Sequence, residues 1–278
     1  MKTKAFAKVN LALNILGTRP DGKHDMDMVN ARLTLHDTLD IEPIDAAQDE
    51  ILCSAMKLPV INTLSQALDA LRPYGLKNHY RIVLDKQIPE QAGLGGGSAD
   101  AAALLQALNE MENLNLSLDE LEKIGFTIGA DVPCCLHEGF TRTQGAGERV
   151  QDLPSDWSFG ILLVQGSSKV STASAFAEYD RREPRQLDID IVQDAVRKKD
   201  IGLLYQTMIN AFELQAFETL EELEQVKEDM QDAGLVRVMM TGSGSCLMGF
   251  CVDDDVMDEA YDYLKERYPF VWKGRVGK

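Results

Sequence analysis

The sequence predicts an α+β protein with two lobes and a cleft between them. The chain has 278 residues, near the length of about 250–300 residues at which a single hydrophobic core stops growing. Strand-like segments alternate with helical ones, and 45% hydrophobic with 26% charged residues is ordinary for a globular protein with a large core. From the placement of the motifs, we assign the lobes to residues 1–153 and 154–278.

The first predicted elements are two strands joined by a turn. In residues 9–15, apolar residues alternate with polar or small ones, which is the period of two expected of a half-buried strand. The same period places Lys8 and Asn10 on one face of that strand. A turn is predicted at residues 19–22, which read Arg-Pro-Asp-Gly, and a second strand at residues 28–41.

A helix, a strand, a glycine-rich loop and a second helix are predicted next. Residues 62–71 have a helical pattern, and residues 80–85 have the pattern of a strand. That strand leads into Gly93-Leu-Gly-Gly-Gly-Ser98, after which apolar residues recur at helical spacing as far as Met111. The glycine-rich loop is therefore expected to open directly into a helix.

The following helix carries its own start and stop signals. Ser117-Leu-Asp-Glu120 is a capping-box pattern, in which a serine hydroxyl and a glutamate carboxylate satisfy amides at a helix start. Gly129 is expected to end this helix. Residues 130–133, Ala-Asp-Val-Pro, are expected to be extended, because the residue before a proline avoids the helical region. Asp131 is thus predicted on a connection, where functional groups often lie.

The C-terminal half alternates strands and helices. Strands are predicted at residues 160–165, 236–240 and 247–252, and helices at residues 190–198 and 214–230. This alternation supports the α+β assignment.

Composition excludes several functional classes. With 28 basic and 45 acidic residues the net charge is −17, which disfavours nucleic acid and anionic membranes as partners. The N-terminus has no signal-peptide pattern, and no segment reaches about 18 consecutive apolar residues. Five cysteines without a C-x-x-C pair, and four histidines without ligand spacing, indicate neither a disulfide framework nor a transition-metal site. A cytoplasmic location is expected.

The strongest chemical motif is the glycine-rich run after Pro89. Glycines let backbone amides approach a polyphosphate, and the N-terminus of the following helix adds partial positive charge. The run lacks the Gly-Lys-Ser/Thr ending of a Walker A loop and the downstream acidic residue of a Rossmann motif. Four glycines and a serine at a helix start favour phosphate binding over a plain turn.

A second glycine-rich run lies between two predicted strands. It reads Thr241-Gly-Ser-Gly-Ser245, and by itself it indicates a tight hairpin. With the first run in the same chain, it is a candidate lining of the same phosphate-binding cleft.

Phosphoryl transfer also needs a proton acceptor and cations, for which Asp131 and Lys8 are candidates. A lone aspartate in a loop is usually a solvated turn residue, and a lone lysine on a strand usually lies at the surface. Their spacing alone therefore assigns neither a catalytic role.

Taken together, the motifs resemble those of a known family. The motifs are Ala7-Lys8-Val9-Asn10-Leu11, Arg19-Pro20-Asp21-Gly22-Lys23-His24, the run from Pro89 to Ala102, Gly129-Ala130-Asp131-Val132-Pro133 and Thr241-Gly-Ser-Gly-Ser245. In order and spacing they are similar to those of the GHMP kinases. Gly145-Ala-Gly147-Glu148 and Val170-Ser-Thr172 resemble the branch of that family whose acceptor is a cytidine-diphosphate-linked polyol.

The resemblance implies a two-lobe GHMP kinase fold, with a ribosomal protein S5 domain 2-like N-terminal lobe and an α+β sandwich as C-terminal lobe. ATP and a small-molecule substrate would meet between the lobes. Asp131 would be the base for the acceptor hydroxyl, while Lys8 would polarise that hydroxyl and keep Asp131 ionised. A monomer or weak homodimer is expected.

The resemblance also implies two sets of binding residues. On the substrate side, His24 would hydrogen-bond to cytosine and Phe176 would stack on it, with Asn10 and Thr172 as further contacts. On the nucleotide side, Asn62 would lie beside the adenine. The implied contacts of the ATP phosphates are Pro89, Gly93, Leu94, Gly95, Gly96, Gly97, Ser98 and Ala99. Ser98 would also lie near a Mg²⁺ ion carried mainly by the nucleotide.

One position departs from the family pattern. The family usually has a tyrosine before the histidine of the Asp-Gly-x-His element, and this chain has Lys23. Stacking of a base on an aromatic ring is worth ~1–3 kcal/mol, so loss of the tyrosine weakens the expected binding of cytidine. Two other hypotheses about function therefore stay open. These are a GHMP kinase of another small alcohol, and a non-catalytic nucleotide-binding relative. A homoserine kinase or a diphosphomevalonate decarboxylase would not account for His24 and Phe176.

Overall fold

The computed structural model describes residues 1–182 and 187–277. In these residues the strands are β1 (Lys2–Thr18), β2 (His24–Ile44), β3 (Glu50–Cys53), β4 (His79–Asp85), β5 (Phe140–Gly145), β6 (Arg149–Leu153), β7 (Ser158–Gln165), β8 (Ile209–Asn210), β9 (Arg237–Met240), β10 (Leu247–Phe250) and β11 (Phe270–Gly277). The helices are α1 (Thr63–Leu71), α2 (Gly96–Met111), α3 (Leu118–Ile128), α4 (Val132–Cys135), α5 (Thr172–Tyr179), α6 (Asp190–Lys198), α7 (Ile201–Thr207), α8 (Glu213–Thr219), α9 (Glu221–Asp232) and α10 (Asp254–Lys265).

The described strands join in one branched, mainly antiparallel sheet whose centre is β2. Along one path the strand order is β3-β4-β2-β11-β7-β10-β9, while β1 and β5 also pair with β2. The last strand returns to β2, where Val276 lies opposite Leu33. The predicted lobe boundary after residue 153 falls in the connection between β6 and β7, and this division stays a prediction.

The helices cover the sheet as separate groups with separate cores. Helices α1, α2 and α3 share one apolar core with β2 and β4, in which residues such as Leu68, Leu104 and Ile82 are buried. Helices α9 and α10 cover β7 and β10, where Leu162 and Leu247 are buried. Burial of one such side chain contributes about 1.5–3 kcal/mol, so each group has a substantial apolar core of its own.

Most predicted elements are confirmed, with bounds that differ by a few residues. The α+β class, the long first two strands, the strands near residues 80–85 and 160–165, and the helix at residues 190–198 are all present. The capping box at Ser117 and Glu120 is present, and Gly129 ends α3. The second glycine-rich run joins β9 and β10, which pair antiparallel as a hairpin.

Among the predicted strands and helices, two differ from the structure. Residues 9–15 form a strand, but it is buried on both faces, because loops from elsewhere in the chain cover its polar side; Asn10 is 0% and Asn14 is 3% exposed. The helix predicted over residues 214–230 is two helices, α8 and α9, separated at Leu220, whose backbone is extended (φ −128°, ψ 91°). The apolar spacing continues across this break, so periodicity alone did not reveal it.

Candidate active site

A cleft of about 1010 Å³ collects most of the predicted site residues. The cleft is lined by both glycine-rich runs, the segment after α3, the middle of β1 and the start of β2. The predicted residues in its lining are Lys8, Asn10, His24, Asn62, Pro89, Gly93, Leu94, Gly95, Gly96, Gly97, Ser98, Asp131, Thr172 and Phe176. Ala99 lies behind this surface, with its side chain buried and its amide donating to the Gly95 carbonyl (2.8 Å).

Lys8 and Asp131 form an ion pair at the floor of the cleft. Lys8 Nζ lies 3.3 Å from Asp131 Oδ2, although 122 residues separate them in the sequence. The lysine side chain is 8% exposed and the aspartate 37%, so the carboxylate remains open to the cleft. Burial would lower the pKa of Lys8, but Asp131 and the nearby Cys134 and Cys135 raise it overall. Lys8 therefore stays a cation at neutral pH.

A buried chain of amides and hydroxyls holds Lys8 in place. Lys8 Nζ donates to Asn10 Oδ1 (2.9 Å), and Asn10 Nδ2 donates to Asn30 Oδ1 (2.7 Å). Asn30 Nδ2 in turn donates to Thr143 Oγ1 (2.8 Å). Register shifts in β1 between Phe6 and Lys8, and again after Asn10, frame this segment; such bulges commonly re-aim side chains at functional sites.

Asn30 and Thr143 were not predicted as site residues. The sequence feature that could have indicated them is their position on strand segments beside other polar residues. It became meaningful only once β2 and β5 were known to pair there, with Asn30 opposite Thr141.

The prediction that residues 130–133 are extended is wrong. Asp131 is in the helical region (φ −89°, ψ −7°) and directly precedes the short helix α4, in which Pro133 occupies the first turn. Proline is tolerated there because the amide it lacks has no acceptor within the helix. Gly147 packs closely against this turn: a Cβ on Gly147 would lie 2.2 Å from the Ala130 carbonyl oxygen.

The first glycine-rich run forms the predicted helix-opening loop. Gly95, in the left-handed region (φ 69°), precedes α2. Helix geometry leaves the amides of Gly96, Gly97 and Ser98 without intrahelical acceptors, and all three residues line the cleft. A helix start of this kind attracts phosphate groups. A Cβ on Gly95 would lie 3.1 Å from Lys8 Cε, so glycine here allows the loop to rest on the lysine side chain.

The second glycine-rich run lines the same cleft as the first, as predicted, and it also packs directly against the first run. A Cβ on Gly93 would lie 2.1 Å from the Thr241 carbonyl oxygen. Thr241 Oγ1 accepts from the backbone amide of Asn10 (3.1 Å), and Gly242 and Ser243 line the cleft. The hairpin therefore supports both the first glycine-rich run and the strand that carries Lys8.

Beneath the glycine loop lies a second group of charges that the sequence analysis missed. Lys86 Nζ donates to Asp100 Oδ2 (2.9 Å) and to Asp37. Asp37 also accepts from the backbone amides of Gln87 and Ile88, while Asp100 Oδ1 is buried and has no hydrogen-bond partner in the described residues. Burial raises the pKa of Asp100 to about 7, and Lys86 only partly opposes this.

On the opposite side of the cleft, His24 and Phe176 lie against each other. Their ring centroids are 4.2 Å apart and the rings are inclined by 19°. His24 Nε2 is 2.7 Å from Asp180 Oδ1. Thr172, at the start of α5, is linked to Ser243 through a hydroxyl pair 3.2 Å apart. The predicted substrate residues thus meet, but with His24 covering a face of Phe176.

Asn62 has a structural role in addition to its position in the cleft. It is the N-cap of α1, where its Oδ1 accepts from the amides of Leu64 (3.0 Å) and Ser65 (3.1 Å). Its Nδ2 donates to the Pro59 carbonyl (2.9 Å). Because its side-chain groups are already paired, a contact with adenine has to add to these bonds or replace one of them.

The cleft offers oxygen donors suited to Mg²⁺ carried by a nucleotide. Ser98 faces the turn that carries Asp131, since a Cβ on Gly129 would lie 3.7 Å from Ser98 Oγ. Asp131 is partly exposed to the same space, and hydroxyl and carboxylate oxygens are ligands of the kind that Mg²⁺ prefers. In the part of the chain that the structure describes, no group of three or more His, Cys, Asp or Glu residues is arranged to hold a metal.

Two family models match this chain. The model described as "GHMP kinases N terminal domain" matches residues 62–139, which hold the glycine loop and Asp131. The model described as "GHMP kinases C terminal" matches residues 192–269, which hold the second glycine run.

The chain belongs to the GHMP kinase family.

Relatives of this GHMP kinase share one name. The 4-diphosphocytidyl-2-C-methyl-D-erythritol kinase of Thermoanaerobacter pseudethanolicus is 33% identical over 277 residues, covering 98% of this chain and 94% of the relative. The kinase of the same name from Bacillus pumilus is 33% identical over 267 residues, covering 94% and 92%.

Solved structures agree with the fold. A crystal structure of 4-(cytidine 5'-diphospho)-2C-methyl-D-erythritol kinase matches with a TM-score of 0.82 and 29% identity over the full length of both chains. The mevalonate kinase of L. major matches with a TM-score of 0.75 at 18% identity, covering 100% of this chain and 96% of that one, and so supports the fold alone. The predicted GHMP kinase fold class is confirmed. Among the described residues, no helix has the length and apolar character needed to cross a membrane.

Proposed function

We propose that this GHMP kinase transfers the γ-phosphoryl group of ATP to the 2-hydroxyl of 4-diphosphocytidyl-2-C-methyl-D-erythritol, a step in non-mevalonate isoprenoid precursor biosynthesis. The observation that carries the proposal is the Lys8–Asp131 ion pair of 3.3 Å. It lies in the same cleft as a glycine loop suited to phosphates and a His24–Phe176 pair suited to a planar base. The names of the full-length relatives support the choice of acceptor.

In the proposed reaction, Asp131 takes the proton of the acceptor hydroxyl. The hydroxyl oxygen forms a bond to the γ-phosphorus as the bond from that phosphorus to the β,γ-bridging oxygen breaks, and ADP leaves. Lys8, fixed by Asn10, is the cation beside the reacting oxygens. The free amides of Gly96, Gly97 and Ser98 would hold the phosphates.

Mg²⁺ is proposed to enter with ATP. Ser98 is the residue that would face it, and the ion would offset negative charge on the phosphates.

The cytosine of the acceptor is proposed to bind at Phe176. Because His24 covers a face of this ring and pairs with Asp180, stacking of cytosine on that face requires His24 to turn aside. His24 would then be free to hydrogen-bond to the edge of the base. Asn10 and Thr172 are proposed to contact the polyol and diphosphate portions.

A second candidate is phosphorylation of another small alcohol. The observation in its favour is that His24 covers one face of Phe176 in this structure, so a base can stack on that face only after His24 moves. A non-catalytic nucleotide-binding role is a weaker candidate, because a chain without catalysis has no physical need for the Lys8–Asp131 pair. An acceptor screen separates these candidates: turnover with a non-cytidine alcohol alone favours the second, and ATP binding without any turnover favours the third.

The proposal includes a cytoplasmic monomer or weak homodimer without nucleic acid or membrane partners. Support comes from the net charge of −17, which repels polyanions, and from five free cysteines, which suit a reducing compartment.

The test is ADP release from Mg-ATP by the purified protein, with and without 4-diphosphocytidyl-2-C-methyl-D-erythritol. Acceptor-dependent ADP release is expected. An absence of stimulation in protein that binds ATP would overturn the proposed acceptor.

A further inference from the structure

Of the lysines that line the cleft, two are already neutralised. Lys8 is paired with Asp131, and Lys86 with Asp37 and Asp100. These two ammonium groups therefore face three carboxylates, and the protein as a whole carries a charge of −17. A polyanionic ligand gains little net attraction from these two lysine side chains, because each is already offset by an acid.

The third lysine of the lining, Lys23, forms no ion pair within the described residues. Its ammonium lies over the ring of Phe126, 4.4 Å from the centroid. Phe126 is on α3 and lines the cleft three residues before Gly129. A cation over an aromatic face is held in position but keeps its full charge. Lys23 is thus the lining ammonium that remains available to an incoming anion.

The turn that carries Lys23 is fixed before any ligand binds. The Arg19 amide donates to the Lys23 carbonyl (2.7 Å), and the Gly22 amide donates to the Arg19 carbonyl (2.9 Å). The Lys23 amide donates to Asp21 Oδ1 (3.1 Å). The Arg19 guanidinium is anchored in turn to Glu148, on the loop that supports the catalytic turn. Such preorganisation lowers the entropy cost of binding.

We propose that Lys23 binds the diphosphate of the acceptor substrate and sets the preference for a nucleoside diphosphate over an uncharged nucleoside. This inference rests on the proposed function and assigns the anionic part of the same substrate. His24 follows Lys23 directly and lies against Phe176. Lys23, His24 and Phe176 line one cleft, so a nucleotide whose base reaches Phe176 shares that cleft with the Lys23 ammonium. The aromatic face of Phe126 holds that ammonium ready at the cleft wall.

The test compares three ligands on four proteins. CDP, CMP and cytidine are measured as competitors of the acceptor in the kinase assay, with wild type, Lys23→Gln, Lys23→Arg and Lys77→Gln. Lys77 is exposed and lies outside the cleft lining, so its substitution removes the same charge without touching the site. Thermal unfolding of each variant checks that the fold is retained.

For Lys23→Gln we expect CDP binding to weaken roughly five- to twentyfold, as for loss of a charge-assisted hydrogen bond, with cytidine binding unchanged. CMP should be affected less than CDP. The KM for the acceptor should rise while kcat stays within about twofold, and added salt should shrink the difference between wild type and variant. Lys23→Arg should restore most of the CDP affinity, and Lys77→Gln should match wild type.

Two results would overturn this inference. Equal losses for CDP and cytidine would place Lys23 on the base, and no loss for either would remove it from the site. If either result is obtained and the wild-type protein turns over the acceptor, the proposed function still stands. Wild type that neither turns over the acceptor nor binds CDP would contradict the proposed function itself, and the role of Lys23 with it.

Discussion

Replacement of Gly93 by alanine is predicted to push the two glycine-rich loops apart. The new Cβ would lie 2.1 Å from the Thr241 carbonyl oxygen, where ordinary contact begins at 3.4 Å, so the loops have to separate by roughly 1 Å or more. The obstructing atom is backbone and cannot rotate away. Gly93 also has φ +73°, a left-handed conformation that costs a residue with a Cβ ~1–2 kcal/mol.

Together these effects predict a large loss of stability. Overpacking against an immovable neighbour typically costs ~1–3 kcal/mol, so the free energy of unfolding should fall by about 2–5 kcal/mol once the backbone cost is added. ATP affinity should fall as well, because Thr241 supports Asn10 and the glycine loop. Denaturant unfolding and ATP titration measure the two effects.

Gly139→Ala is the matched control. Gly139 has nearly the same backbone conformation (φ +68°), but a Cβ there meets nothing within 4 Å. It should lose only the backbone contribution of ~1–2 kcal/mol and bind ATP normally. If Gly93→Ala is no less stable than Gly139→Ala, the reasoning about packing between the two loops is refuted.

Two other substitutions test the buried polar groups. Asn30→Ala removes the acceptor of Asn10 Nδ2. It should lower kcat about tenfold and the free energy of unfolding by ~1–3 kcal/mol, as measured by steady-state kinetics and denaturant unfolding. An unchanged kcat would show that this chain of amides does not position Lys8. Asp100→Asn tests a pH dependence. Burial raises the pKa of Asp100 to about 7 in the folded protein, above the ordinary aspartate value of 3.8. The folded state therefore binds more protons than the unfolded state between these two pH values, and Asp100 makes stability fall as pH rises through this window. Unfolding measured from pH 4 to pH 8 should show a smaller decline in Asp100→Asn than in wild type, and parallel curves would contradict the assignment.

The parts of the fold that follow from local patterns were predictable from the sequence. The glycine loop before α2, the capping box of α3 and the hairpin around Gly242 depend on neighbouring residues, and each is present in the structure. The predictions that were wrong concern features that depend on residues distant in the sequence. The polar side of β1 is buried because other loops cover it. The break between α8 and α9 at Leu220 contains no glycine or proline that would have indicated it in the sequence.

The site was predictable only in part. Lys8 and Asp131 were proposed through a resemblance, and their contact depends on how β1 meets the turn after α3. The Lys86 group was missed because Asp37 lies within β2 and Lys86 follows the end of β4, so the two side chains meet only in the folded protein. Sequence motifs thus indicate which groups bind phosphate, whereas the pairing of charges depends on the complete fold.

The central claim is that Asp131 accepts the proton of the acceptor hydroxyl, and Asp131→Asn tests it most directly. ADP release in the presence of Mg-ATP and 4-diphosphocytidyl-2-C-methyl-D-erythritol should fall at least about a hundredfold, which is the usual scale of general-base catalysis, while ATP affinity stays close to wild type. Near-normal turnover in Asp131→Asn would contradict the account and remove Asp131 from the mechanism.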